Sequence, residues 1–166
     1  MRWNRQRGPK LNRQAIGASK LDGGDSRIQM VGILIVTHGT FGEALIRSAS
    51  HVMGERPVKV LHLEVTIQDD PAAVVPRARE LVHKLDDGAG VLVLTDILGA
   101  TPSNVATRLL LPGRVEGVSG ANLPMLIRAL TYRNEPLAEL VEKAMSGGCE
   151  GVVHLNSDAC NAPDRS

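Results

Sequence analysis

Residues 30–49 read MVGILIVTHGTFGEALIRSA, and the rest of the chain can be read outward from them. Val31, Ile33, Leu34, Ile35 and Val36 make a short apolar run rich in β-branched residues, the composition of a strand buried on both faces. The run stops at Thr37-His38-Gly39, after which Gly42, Glu43, Ala44, Leu45, Ile46 and Ala49 follow with helical spacing. A strand, a Gly-containing turn and a helix put His38 at the carboxyl end of a strand. In open α/β sheets that is where ligands and chemistry sit, so His38 is the first candidate for a working residue.

The remaining segments repeat the pattern. Residues 58–63 predict a second strand, and Asp69-Asp70-Pro71 predicts a helix start with a carboxylate cap and a proline in the first turn. That helix carries Val74, Val75, Ala78, Leu81, Val82 and Leu85 on one face, has Pro76 within its opening turns, and closes at Asp86-Asp87-Gly88. Residues 90–94 are the most hydrophobic strand and end in Thr95-Asp96. Thr101 as cap and Pro102 as first helical residue start a helix over residues 105–111, stopped by Pro112-Gly113. A short fourth strand follows at residues 114–118. Asn122-Leu123-Pro124 opens a helix to Tyr132, and Glu135-Pro136 opens a last one to Met145, with Gly147-Gly148 as its end. Residues 152–155 read as a fifth short strand. This alternation predicts a doubly wound, mostly parallel α/β sheet in which the first and third strands are neighbours, order 2-1-3-4. His38 and Asp96 then lie side by side at one sheet edge. The fifth strand follows two successive helices, so the pattern leaves its direction and place open.

Composition narrows the function classes. The chain has 166 residues, 43% of them hydrophobic, enough for one domain with a real core. Only Trp3, Phe41 and Tyr132 are aromatic, which provides poorly for stacking on bases or a flavin. A net charge of +1 gives no electrostatic case for nucleic acid or an anionic surface. No apolar run approaches the roughly 20 residues of a membrane span. Cys149 and Cys160 fit no CxxC pattern, so a reduced, cytosolic setting is expected, with Cys149 as a small core residue. Residues 1–29 are basic and lack a secretory hydrophobic region. They read as a disordered tail or as sequence upstream of a true start at Met30, with a basic interaction arm or a transit segment as the functional alternatives. Residues 156–166 read as a polar C-terminal tail.

A carboxylate beside a histidine fixes the tautomer and orientation of the ring through one nitrogen and leaves the other a free lone pair for an electrophile. Gly99-Ala100-Thr101 leads into a helix N-terminus, whose free N–H groups favour an anion. Gly39 removes a Cβ beside His38 and gives another backbone donor room. Together these predict a phosphohistidine site: His38 and Asp96 do the chemistry, Gly39, Gly99, Ala100 and Thr101 hold the phosphate, and neither a metal nor a cofactor is called for. Each residue also has a plainer reading. A histidine after a strand serves packing, Asp96 caps the next turn, Thr101 caps its helix, and Gly99 supplies only a positive φ. His51, His62, His83 and His154 read as surface or core-edge residues, and Asp86-Asp87 as a solvated turn.

The segments GILIVTHGTFGEALI, GVLVLTDILGATPSNVATRLLL, GVSGANLPMLIRAL and EGVVHL, in this order, resemble the IIA domain of the mannose family of the bacterial sugar phosphotransferase system. The resemblance covers residues 30–155. It implies a flavodoxin-like fold and a cytoplasmic homodimer that exchanges its last strand between subunits, which would account for the isolated strand near residues 150–155. It also implies that His38 takes phosphate at Nε2 from phospho-HPr, with Asp96 holding the other ring nitrogen. Thr101 stands where the family usually has the serine of a Gly-Gly-Ser-Pro-Phe-Asn loop. Here one glycine is Ala100 and the phenylalanine is Ser103, so the face shown to partners is expected to differ. No IIB segment follows within the sequence. The expected acceptor is a separate IIB partner, which links the protein to a membrane permease only indirectly; the alternative is a regulatory carrier that transports nothing.

Two other function classes remain in view. A strand ending in His-Gly-Thr also resembles the start of sirohydrochlorin-type chelatases, where the histidine binds metal, but no paired His or Glu stands at the other strand ends. A binding module with an unreactive His38 is the non-enzymatic alternative.

Overall fold

The computed structural model describes residues 29–155. All of the expected basic arm except Gln29, and the polar tail with Cys160, lie outside the described residues. The elements run β1 (Gly32–His38), α1 (Phe41–Met53), β2 (Val60–Val65), α2 (Pro71–Leu85), β3 (Val91–Thr95), α3 (Thr101–Thr107), β4 (Val115–Ser119), α4 (Leu123–Tyr132) and α5 (Leu137–Glu150). The four strands form one sheet in the order β2-β1-β3-β4, every neighbouring pair parallel. This is the doubly wound 2-1-3-4 order that the alternation predicts.

Side-chain alternation along the strands builds two core layers. Ile33, Ile35, Leu92 and Leu94 face α1, α4 and α5 and pack with Leu45, Ile46, Leu126 and Leu140. Leu34, Val36, Val91 and Val93 face α2 and α3 and pack with Val74, Val75, Ala78 and Val105. Burial on both faces is why β1 and β3 read as unbroken apolar runs. Each such side chain withdrawn from water contributes about 1.5–3 kcal/mol, so these two strands hold the site's frame. Helix starts follow local chemistry. The Asp70 carboxylate accepts from the Ala72 amide at 2.9 Å, and the Asn122 side chain accepts from the Met125 amide at 2.9 Å. α2 continues through Pro76.

The register positions the site. Val36 pairs with Thr95 on β3, and β1 runs two residues further, to His38, which pairs with Val65 on β2. Asp96 is the residue after Thr95. The two candidate side chains are therefore neighbours across the β1/β3 switch point.

Four expectations are corrected. Residues 152–155 form no strand in the single chain; they follow a turn at Gly151 and are exposed. An extended segment needs a strand beside it, and within one chain it has none. Gly147 and Gly148 do not end the last helix but lie buried inside α5, which runs to Glu150. A Cβ on Gly147 would sit 2.6 Å from Arg128 Cβ, so these glycines serve the close approach of α5 to α4. Cys149 is exposed, on the outer face of α5. Asp86 is not a solvated turn residue: it accepts from the Gly88 and Gly90 amides at 2.9 and 3.1 Å and pairs with Arg114 at 2.7 Å. Asp87 pairs with Lys59 at 2.6 Å.

Candidate active site

β1 delivers His38 and β3 delivers Asp96 to the carboxyl edge of the sheet. The His38 ring Nδ1 lies 2.8 Å from Asp96 Oδ2, and the His38 main-chain N–H donates to that same oxygen at 2.9 Å. The Ile97 amide donates to Asp96 Oδ1 at 2.9 Å. Burial by itself would raise the Asp96 carboxyl, but these hydrogen bonds, with the attraction of the His38 ring, hold it below its ordinary value. Asp96 is thus a carboxylate acceptor, and His38 carries its proton on Nδ1. Nε2 makes no hydrogen bond among the described residues, and the His38 side chain is 43% exposed against 17% for Asp96. The arrangement is a fixed imidazole with a free, solvent-facing lone pair.

The four residues expected to hold phosphate fare unequally. Gly39 has φ +49°, and its amide continues the ladder by donating to the Val65 carbonyl at 3.1 Å. Gly99 has φ +85°, and a Cβ there would meet nothing, so its backbone angle is what requires glycine. Its amide donates to Ser103 Oγ at 2.9 Å, and that hydroxyl donates to the Ala100 carbonyl at 2.9 Å. Both glycine amides are therefore occupied. The cap of α3 is Ala100, and Thr101 is the first helical residue, its side chain making no cap. Pro102 is therefore the second helical residue rather than the first, and α3 ends at Thr107 rather than Leu111. The amides of Ala100 and Thr101 and the Thr101 hydroxyl make no hydrogen bond among the described residues, which leaves them available as donors.

Sequence reasoning missed two contributors. Ser103, noted only as a departure from the family loop, is buried and holds that loop closed. His62, set aside as a scattered histidine, lies 3.0 Å through Nε2 from Thr37 Oγ1, beside His38 in sequence. Its only signal was a polar residue within an apolar strand. The turns leaving β1 and β3 expose Phe41, Ile97 and Leu98 beside the site. Among the described residues no three His, Cys, Asp or Glu side chains group as metal ligands, and no helix is long and apolar enough to cross a membrane.

A parallel 2-1-3-4 sheet with a carboxylate-held, partly exposed histidine at its switch point defines a flavodoxin-like domain. Residues 32–145 match the family model for the PTS system fructose IIA component, and the chain belongs to that family. It is 32% identical over 130 residues to the mannose-specific EIIAB component of Escherichia coli K12, covering 76% of this chain and 40% of that protein. The chain thus spans less than half the length of that relative. It is 28% identical over 121 residues to the fructose-specific EIIA component of Bacillus subtilis, covering 70% of this chain and 82% of that one. Among solved structures, the phosphotransferase system component EIIA of Streptococcus agalactiae superposes with a TM-score of 0.67 at 30% identity, over 76% of this chain and 98% of that one.

Proposed function

We propose that the protein is a cytoplasmic phosphohistidine carrier of the phosphoenolpyruvate-dependent sugar phosphotransferase system. The Nε2 lone pair of His38 attacks phosphorus on the donor, phospho-HPr. The new P–N bond forms as the donor's P–N bond breaks, and the donor imidazole leaves with the bonding pair. The Nδ1 proton of His38 stays in its hydrogen bond to Asp96, whose negative charge offsets the positive charge spread over the phosphorylated ring. The amides of Ala100 and Thr101 and the Thr101 hydroxyl are the donors for the phosphoryl oxygens. The acceptor is a separate IIB partner, or a regulatory target in a system that moves no sugar through this protein.

The observation that carries this reading is the pairing of His38 Nδ1 with Asp96 Oδ2 at 2.8 Å while Nε2 stays free. Exposed Phe41, Ile97 and Leu98 suit protein partners that dock and leave. The test is intact mass after incubation with Enzyme I, HPr and phosphoenolpyruvate. One acid-labile phosphate, absent in His38→Ala, is expected; no mass gain with competent donors overturns the proposal.

We further propose a homodimer in which residues 150–155 of one copy lie along the β4 edge of the other. Val152, Val153 and Leu155 are exposed. β4 is an edge strand, flanked by a cavity that Leu98, Leu110, Gly117 and Ser119 help to line. Thr95 Oγ1 on β3 and Ser119 Oγ on β4, both of which line that cavity, are buried without hydrogen-bond partners among the described residues. Light scattering should give a dimer that truncation after Gly151 converts to monomer; a monomeric full chain overturns this.

A further inference from the structure

The turn that carries His38 is closed by the residue before it. Thr37 is fully buried, and its Oγ1 accepts from the Gly42 amide at 2.9 Å, bridging the end of β1 to the first turn of α1 across His38, Gly39, Thr40 and Phe41. The same oxygen lies 3.0 Å from His62 Nε2 on β2. A hydroxyl has one proton, and a buried one needs an acceptor for it. Among the described residues the only partner of Thr37 Oγ1 that can accept is His62 Nε2.

We propose that His62 is a positioning residue for His38: its Nε2 accepts a hydrogen bond from the Thr37 hydroxyl, which turns the oxygen lone pair to the Gly42 amide and sets the His38 turn in one conformation. This deepens the phosphocarrier reading and rests on it. The packing is built for the ring. A Cβ on Gly42 would overlap His62 Cδ2, so glycine at the second position of α1 makes the space that the imidazole fills. Burial holds the His62 imidazole below its ordinary value, although Glu43 and Glu64 pull the other way. The neutral ring, protonated on Nδ1, is the form that accepts at Nε2.

The charged groups facing the ring are Glu64 on β2, Glu43 on α1, and Arg56 in the α1–β2 connection, which pairs with Glu43 at 3.2 Å. When His62 takes a second proton, Nε2 becomes a donor. Thr37 Oγ1 then faces two donors, and the proton of this buried hydroxyl loses its acceptor. The His38 turn loosens under acid for that reason.

The test follows phosphate uptake by the full chain from Enzyme I, HPr and phosphoenolpyruvate between about pH 5 and pH 8, in wild type, His62→Gln, His62→Leu and Gly42→Ala. Loss of the hydroxyl's acceptor in His62→Leu should slow uptake roughly tenfold or more. His62→Gln, whose amide oxygen can accept at the same place, should restore most of the rate and remove the His62 protonation from the acid limb. Gly42→Ala should imitate His62→Leu by expelling the ring. Wild-type rates and an unchanged acid limb in His62→Leu overturn the proposal. A second arm needs no phosphate: nitrogen NMR of the unmodified protein should show His62 protonated on Nδ1, with the Gly42 amide shifting as His62 titrates. An Nε2-protonated ring, or a Gly42 amide blind to His62, also overturns it. Failure of wild type to accept phosphate strikes the carrier reading instead, and the NMR arm still decides the contact.

Discussion

One oxygen, Oδ2 of Asp96, accepts both the main-chain N–H and the ring Nδ1 of His38, at 2.9 and 2.8 Å. A single carboxylate thereby fixes the backbone and the χ angles of the same residue. Holding a reacting atom within a fraction of an ångström matters because displacement by 1 Å can cost on the order of 10²-fold in rate.

Asp96→Ala should therefore slow phosphate uptake by about 10²-fold while leaving His38 in place. It should also lower stability by about 1 kcal/mol, since the part-buried His38 amide that donates to the carboxylate loses its acceptor. Single-turnover uptake and urea denaturation of the same preparation check both numbers. An unchanged rate would show that the pair is not coupled.

Acid should uncouple the pair thermodynamically. Asp96 has its carboxyl held below the ordinary value in the folded chain, so its stabilisation is fully present above the unfolded value and fades as pH falls through the folded one. The same sign holds for Asp86, where burial opposes but the Gly88 and Gly90 amides and Arg114 prevail. The urea midpoint should fall with pH below about 4, and Asp96→Asn should flatten part of that slope. A midpoint just as steep in the variant would remove Asp96 from the acid limb.

Ser103→Ala tests the closure of the β3–α3 connection. Its hydroxyl accepts from Gly99 and donates to the Ala100 carbonyl. Removing it should cost about 1 kcal/mol and slow uptake several-fold, with Ser103→Thr retaining more than Ala does. Equal rates in all three proteins would show that the loop holds its shape without that hydroxyl.

The two glycines of α5 should respond unequally to alanine. A Cβ at Gly147 meets Arg128 Cβ at 2.6 Å and the Pro124 carbonyl oxygen at 3.2 Å, atoms close to the α4 backbone that cannot swing aside. At Gly148 the 2.6 Å contact is with Met125 Cε, the far end of a flexible side chain. Gly147→Ala should destabilise by about 1–3 kcal/mol despite better helix propensity. Gly148→Ala should fall within about 1 kcal/mol of wild type. Denaturation midpoints decide, and the reverse order would refute this account of the α4–α5 crossing.

What was legible in the sequence is what alternation and apolar runs encode. Val31 to Val36 and Val91 to Leu94 announced two central strands, and the switch-point rule then brought His38 to Asp96 before any contact was known. Less legible were groups whose meaning depends on a neighbour distant in sequence. His62 looked unremarkable until Gly42, on another element, proved to leave room for it. Gly147-Gly148 carried the signature of a helix end because a glycine that permits a turn and one that permits close packing read alike. For Gly39 and Gly99, proposed beside the phosphate, a chain of letters does not show that Val65 and Ser103 hold their amides. Asp86 and Cys149 were misread for the same reason: the partner Arg114 and the outward side of α5 belong to the folded arrangement.

The hydrogen bond from Gly39 to Val65 extends the sheet one residue past His38. The His38 backbone therefore stands on a ladder rung rather than on a swinging loop, and to leave its place it would have to peel two strands apart. In the proposed carrier role, a site built this way is a fixed post in a relay: it cannot reach toward either runner. Travel between donor and acceptor must come from the tumbling of whole molecules, and any bending at the moment of contact falls to the proteins that visit it.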